Sequence, residues 1–496
     1  MYGTRPTRPV QQVPVPTRPV RWAAGPLPWL TAVALLFAAV QLAFVVPGSG
    51  LSWDETVYVS QVGGNAPAAY FSAPRARGIS YLVAPVAALT TSTTAVRTYL
   101  ALLSAAALFG ALRIWRTVLP TPVLAGAGAL FAALWPTLFY GPAAMPNLWC
   151  ALGSLAATGW TVRTLRGASR PAETTGAASA VALVALMRPA DGFWLALPLM
   201  FAAVLVPGRR RPGLGAALAG GLVVGCAPWT AEAFAHYGGP VARFHRAGEI
   251  QGGLGWNFAV DDHLRALAGR TLCRPCDIGW ESPATAVWWV ALPLLTTGGI
   301  VAARRAGRGP VALLATATGV STAVPYLFLV EYAAPRFLLP AYALLAVPVA
   351  EYLTHLFARR RVGTVVPALL LAAHLGVQFS ALSHVIRTSH ATGARFAAVA
   401  GALNGMGVRA PCVVSGDDAV PIAYYAGCAS RQTGGHDASI TPEALRDLAR
   451  HVPVAVLVTG GAAPPVTRGS HVVPLPKGRA HLLPGPAVDR ARGGPL

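Results

Sequence analysis

The feature that most limits what this chain can fold into is a succession of apolar segments separated by clusters of arginine. A helix needs about 20 apolar residues to cross a bilayer, within a working range of roughly 17 to 25. Segments near 28–46, 95–112, 121–140, 146–162, 174–187, 191–206, 213–235, 284–303, 309–330, 336–357 and 363–385 fall at or near that length. The stretch from Ile79 to Thr90 does not, because it runs for only twelve residues and contains Pro85. It reads as a re-entrant or interfacial helix.

The arginines orient the spans. Cytoplasmic loops are enriched in Lys and Arg. With 79–90 left non-spanning, the inner segments receive Arg5, Arg8, Arg18 and Arg21, then Arg113 and Arg116, then Arg163, Arg166 and Arg170. The pattern continues through Arg209 to Arg211, then Arg304, Arg305 and Arg308, then Arg359 to Arg361. Were 79–90 to span, every later cluster would move outside. The expected fold is an α-helical polytopic membrane protein of about eleven transmembrane helices, with the N-terminus cytoplasmic and the C-terminus outside. Residues 1–27 form a Pro/Arg-rich tail, expected to be disordered. The first span follows it as an uncleaved anchor.

Composition agrees. Only 11% of residues are charged, against about 25% in a soluble globular chain. The net charge of +21 comes from 39 basic and 18 acidic residues. The basic residues lie between apolar segments and not on one soluble face, which excludes a nucleic-acid partner. After the last span the texture changes. Residues 390–496 hold short apolar runs at Cys412–Val414 and Val454–Val458, and a helix is expected from Thr441 to Arg450 with Pro442 just inside its start. A small extracytoplasmic α/β domain follows from that pattern, leaving 28–389 as the membrane domain.

Ionisable residues at a membrane boundary are costly and mark candidate sites. The first outer loop, 47–94, opens with Ser52-Trp53-Asp54-Glu55-Thr56-Val57-Tyr58. In an adjacent carboxylate pair one member can act as general base while its neighbour orients the chain or binds a metal. The bland alternative is a solvated acidic turn. Farther along, Arg75 and Arg77 precede the short apolar stretch, and Arg97 starts the second span. Guanidinium matches phosphate bidentately, although snorkelling to lipid headgroups accounts for the same placement. Arg188, in a turn with Pro189 and Asp191, and the segment Glu331 to Pro340, with Arg336, are the remaining outer charges; local ion pairing is the plain reading of both. The long outer loop, 236–283, carries Asp261-Asp262-His263 and a Cys273-Arg-Pro-Cys276 motif. Outside the membrane the latter favours a structural disulfide, and Cys412 with Cys428 offers a second. No third ligand completes a cation site around Asp261 to His263. Cys150 and Cys226 fall within spans as packing residues.

In the order and common sidedness of these features the chain resembles the GT-C superfamily of polyprenyl-phosphate-dependent glycosyltransferases. The likeness is greatest to the protein O-mannosyltransferase and lipid A aminoarabinose transferase branch. The resemblance rests on Asp54-Glu55 followed by Tyr58, on the basic stretch from Arg75 leading to Pro85, on Arg188-Pro189, and on Arg336-Phe-Leu-Leu-Pro340. It implies inverting transfer of a sugar from a polyprenyl-phosphate donor to an acceptor hydroxyl of an envelope glycan, lipid or protein. It further implies Asp54 as general base, with Glu55 in support of it or of a metal. Tyr58, Arg75, Arg77, Arg97, Arg188, Glu331 and Arg336 then line the substrate. A divalent cation is the one cofactor left open. The Arg-Ala-Arg-Gly stretch lacks the Lys-Pro-Pro of the aminoarabinose branch, and the 236–283 loop carries no motif of the family.

Two other readings fit the sequence. One is a non-catalytic scaffold whose exported domain binds cell-wall glycan. The other is a transporter of a lipid-linked sugar, which would place charges deep in several helices and show symmetry between halves; the helix interiors here are mostly Ala, Leu and Val.

Overall fold

A computed structural model describes residues 25–485, apart from 168–169, 207–209, 254, 278 and 359–364. Most of the expected tail, with Arg5, Arg8, Arg18 and Arg21, lies outside the described residues, as do Arg209 and Arg359 to Arg361.

The membrane part is a bundle of helices. It begins with α1 (Pro26–Val40), then α2 (Trp53–Ser60) and α3 (Gly78–Ala87) in the segment that follows it, and α4 (Thr93–Ile114). Next come α5 (Thr121–Ala132), α6 (Trp135–Tyr140), α7 (Pro146–Leu165), α8 (Pro171–Met187), α9 (Pro189–Leu205) and α10 (Pro212–His236). The long loop holds α11 (Pro240–Ile250) and α12 (Val260–Ala266), before α13 (Val287–Arg305), α14 (Gly309–Phe328) and α15 (Leu339–Ala358). The last helix, α16, runs from Val365 to Gly405.

Each expected span carries helix. Among the described residues, seven helices are long and apolar enough to cross a membrane by length and composition. The chain is a multi-pass membrane protein. The other expected spans fall on shorter or more polar helices: α5 with α6, α7, α8 and α9. Helix α7 is polar for a reason. It lies inside the bundle against α4, α8 and α15, and buries Asn147, Ser154, Thr158, Thr161 and Thr164. At ten residues, α3 rises only about 15 Å, half the hydrocarbon thickness, and is too short to cross it.

Beyond the bundle, a five-stranded mixed sheet has the order β2-β1-β3-β5-β4. Its strands are β1 (Val413–Gly416), β2 (Ala429–Ser430), β3 (Val454–Val458), β4 (His471–Pro474) and β5 (Arg479–Leu482). The first three pair in parallel, and β5 runs antiparallel to both β3 and β4. Helix α17 (Ala419–Ala426) packs on one face and α18 (Pro442–Ala449) on the other. Thr441 caps α18 by accepting the Ala444 N–H at 3.2 Å, and Pro442 fills its first turn. The expected domain start at residue 390 falls inside α16. That helix meets no proline between Pro367 and Pro411, so it continues out of the bundle. Its last turns lend Phe396, Val399, Ala400 and Leu403 to the core of the small domain.

Candidate active site

Helix α2 sets the site. Ser52 caps it, and the Ser52 N–H donates to Glu55 Oε2 at 2.9 Å, a capping-box contact. Trp53, Asp54 and Glu55 occupy the first turn, where negative charge meets the positive end of the helix dipole. Consecutive residues of a helix point about 100° apart, so the two carboxylates must diverge.

Glu55 turns into the bundle. Only 5% of its side chain is accessible, and Arg97 of α4, equally buried, donates to its Oε2 at 2.9 Å. Its Oε1 accepts the Ala144 N–H at 2.9 Å. Arg97 is held in turn by the carbonyls of Pro142, at 3.3 Å, and Gly50. Both oxygens of Glu55 are therefore committed to protein donors, which ties α2, α4 and the entry to α7 together.

Asp54 faces the other way and keeps 35% of its side chain accessible. Arg75 Nη2 donates to its Oδ1 at 2.8 Å, and Arg336 Nη2 to its Oδ2 at 3.2 Å. Burial alone would raise this carboxyl, but Arg75, Arg336 and Arg188 together outweigh burial and hold it below the ordinary carboxylate range. Tyr58, one turn farther along α2, packs edge-on against Phe71. Its phenol is pushed up to about 12, chiefly by burial.

The arginines are themselves positioned. Arg75 also donates to the Ser72 hydroxyl and, at 3.4 Å, to Asp437 Oδ1. Arg336 donates to the Thr271 carbonyl at 2.7 Å and to the Tyr140 hydroxyl at 3.4 Å. Arg188 lies 3.8 Å from Asp191 Oδ2 and over the rings of Tyr326 and Phe337. A Cβ at Gly78 would come within 2.7 Å of the Leu186 carbonyl; that close approach brings the basic loop against the turn carrying Arg188.

Other expected residues stand apart from Asp54. Arg77 pairs with Glu232 of α10, donates to Gln61 at 2.7 Å and lies over Phe71, so it fastens the loop to the bundle. Glu331 is exposed and joins no ion pair among the described residues; Arg336, its expected local partner, turns to Asp54 instead. Asp261 pairs with Arg265 at 2.6 Å. His263 is buried with Nε2 3.1 Å from the Tyr326 carbonyl, and burial takes its ring down to about 4. Among the described residues no group of three or more His, Cys, Asp or Glu side chains could hold a metal ion. The oxygens of Asp54 and Glu55 already face guanidinium groups and N–H donors, a set that does not fit a divalent cation.

Two contributors carry no signal in the sequence pattern. Arg243 of α11 is wholly buried. It donates to the carbonyls of Ala73 (3.1 Å), Arg75 (2.9 Å) and Trp229 (2.6 Å) and to Glu232 (3.1 Å). It pins the backbone that carries Arg75. Nothing in the local pattern separates Arg243 from its neighbours His245 and Arg246. Asp437 comes from the small domain, and only its Gly-Gly-His-Asp turn context could have drawn notice. The disulfides expected at Cys273–Cys276 and Cys412–Cys428 are both present. The first sits where the Cys273 strand bridge to Ala333 joins the long loop to the segment of Arg336.

No protein-family model matches the sequence, and no curated protein sequence matches it. Solved structures do match in fold. ArnT from Cupriavidus metallidurans bound to undecaprenyl phosphate aligns with a TM-score of 0.63 at 13% identity, over 91% of this chain and 97% of that one. The archaeal oligosaccharyltransferase AglB from Archaeoglobus fulgidus, in complex with an inhibitory peptide and a dolichol-phosphate, aligns with a TM-score of 0.51 at 14% identity. That alignment covers 86% of this chain and 69% of AglB. The chain shares the overall fold of these two structures.

Proposed function

We propose that this chain is an inverting membrane glycosyltransferase of the GT-C fold that takes a sugar from a polyprenyl-phosphate donor, with Asp54 as general base. The observation that carries the reading is the division between two adjacent carboxylates. Glu55 is saturated inside the bundle, whereas Asp54 stays accessible between two arginines. Both aligned structures of this fold contain a polyprenyl phosphate, which supports that donor class here.

In the proposed reaction an acceptor hydroxyl attacks the anomeric carbon from the face opposite the phosphate. A new C–O bond forms as the bond to the phosphate oxygen breaks, and the hydroxyl proton passes to Asp54. Negative charge builds on the departing phosphate, where Arg75, Arg336 and Arg188 are suited to receive it; such preorganised electrostatic stabilisation usually contributes more to catalysis than any other single effect. The same arginines hold Asp54 below its ordinary pKa at rest. A donor phosphate drawing Arg75 and Arg336 toward itself would return basicity to Asp54, so the base sharpens only when the donor is in place. Glu55 acts as a positioning residue. No step passes through a cation.

The arginine pattern supports about eleven spans, with the N-terminus cytoplasmic and residues 390–496 outside. That orientation puts Asp54 on the extracytoplasmic side, facing an acceptor hydroxyl of an envelope glycan, lipid or protein. The test is transfer by purified full-length protein from a panel of radiolabelled polyprenyl-phosphate sugars, wild type beside Asp54→Asn. Turnover by wild type alone supports the reading. Turnover by neither protein across the panel would turn attention to a non-catalytic scaffold.

A further inference from the structure

The second carboxylate at Arg75 arrives from a different part of the fold. Asp437 lies at the tip of a loop whose base is closed by two hydrogen bonds, Ser439 N–H and Ile440 N–H to the Gln432 carbonyl, at 2.9 and 3.2 Å. Gln432 is itself fastened to β1 through both polar atoms of its side chain and the Gly416 backbone, at 3.2 and 3.0 Å. Gly434, Gly435 and His436 at the tip are exposed, yet the Asp437 side chain is only 18% accessible. Both of its oxygens are spent across the seam. Oδ1 accepts from Arg75 at 3.4 Å and Oδ2 from the Trp53 indole N–H at 3.2 Å.

The seam has a separate anchorage. The Leu51 N–H donates to the Tyr425 hydroxyl at 2.7 Å, and Asn65 Nδ2 to the Tyr424 carbonyl at 2.6 Å. Val420 packs on Val57 and Ala69. Docking of the small domain therefore does not depend on Asp437. What Asp437 adds is charge. Asp54, Asp437, Arg75 and Arg336 form a neutral quartet in which Arg75 is shared between carboxylates of two domains.

We infer that Asp437 is a positioning residue of the transfer centre, through which the C-terminal domain sets how much of Arg75 is left for Asp54 and for an incoming phosphate. Its catalytic consequence rests on the glycosyltransferase reading; its effect on phosphate binding does not. Neutralising it leaves the quartet with one excess positive charge. An anionic lipid headgroup then binds more tightly, while Arg75 settles more fully on Asp54 and weakens it as a base.

The experiment compares wild type, Asp437→Asn, Asp437→Glu and the seam variant Asn65→Ala, all full length in detergent, with undecaprenyl phosphate as the probe. Asp437→Asn should bind it about two- to fivefold more tightly, the size of a part-exposed ion pair, and the gain should shrink as salt rises. Asp437→Glu should restore wild-type affinity, and Asn65→Ala should leave affinity unchanged. In the transfer assay, Asp437→Asn should lower the donor KM and kcat together. Unchanged or weaker binding by Asp437→Asn overturns the inference, as does the same change in Asn65→Ala, which would reduce the effect to docking. A wild type that transfers nothing but keeps this binding pattern removes the transferase reading and leaves the role of Asp437 standing.

Discussion

Neutralising each member of the Asp54-Glu55 pair should have opposite effects. Glu55 accepts three hydrogen bonds, from the Ser52 and Ala144 N–H groups and from Arg97. Glutamine at this place has one carbonyl oxygen, so its amide nitrogen must face either a backbone N–H or a guanidinium. At least one buried donor is then left unsatisfied, at a cost of about 1–3 kcal/mol. Arg97 also loses its only carboxylate among the described residues, and breaking a buried pair costs roughly 3–5 kcal/mol. The carbonyls of Gly50 and Pro142 still hold Arg97, so Glu55→Gln should cost about 3 kcal/mol in all, toward the low end of that range. Asp54→Asn is different. Arg75 keeps Asp437 and Ser72, and Arg336 keeps Thr271 and Tyr140. With Asp54 a third exposed, the stability change should stay under about 1 kcal/mol, while transfer falls by roughly 10²- to 10⁴-fold for a lost general base. The assay pairs thermal unfolding in detergent with donor turnover for each variant. If Asp54→Asn unfolds as early as Glu55→Gln, or transfers at the wild-type rate, the assignment of separate roles is wrong.

Three further outcomes are expected. Because its arginine neighbours lower the Asp54 carboxyl, its stabilising contribution is complete above the ordinary value of 3.8 and is lost as pH falls through the lower folded value; transfer should stay level through mildly acid pH, and Arg75→Ala should move the acid limb of the rate profile upward. The ring of His263, down at about 4 against an ordinary 6.5, contributes stability that is whole above 6.5 and drains away as pH falls toward 4, so the protection factors of amides around α12, corrected for the intrinsic exchange rate at each pH, should fall over that window and His263→Gln should flatten the response. Arg243→Gln removes the hydrogen bonds that hold the Ala73 and Arg75 carbonyls and should lower transfer at least tenfold with Asp54 untouched, a misplacement effect of the kind that costs up to about 10²-fold; wild-type kcat in that variant would show that the basic loop holds its own shape.

The bundle is legible in the sequence because its rule is local. A segment in hydrocarbon must satisfy its own backbone hydrogen bonds, so run length, with arginines at the ends, announces each helix without knowledge of its neighbours. The same locality makes α18 readable from Thr441 and Pro442. It fails at α16, where the change of composition near residue 390 suggests a boundary although no residue there breaks a helix. For α7 it gives the span, 146–162, but not why its polar residues are tolerated there, which is because surrounding helices cover them.

For the candidate site, the chain alone marks Asp54, Glu55 and most of the arginines around them, since charge next to an apolar segment is conspicuous wherever it falls. Which carboxylate stays accessible is decided by the tertiary structure: a turn of about 100° between consecutive residues sends Glu55 to Arg97 and leaves Asp54 facing out. The partners of Asp54 are decided there too. Arg336 lies 282 positions away, and Asp437, which shares Arg75 with Asp54, comes from the small domain; a charge pair at that separation has no period, spacing or motif to betray it. It exists only once the helices that carry both ends have packed.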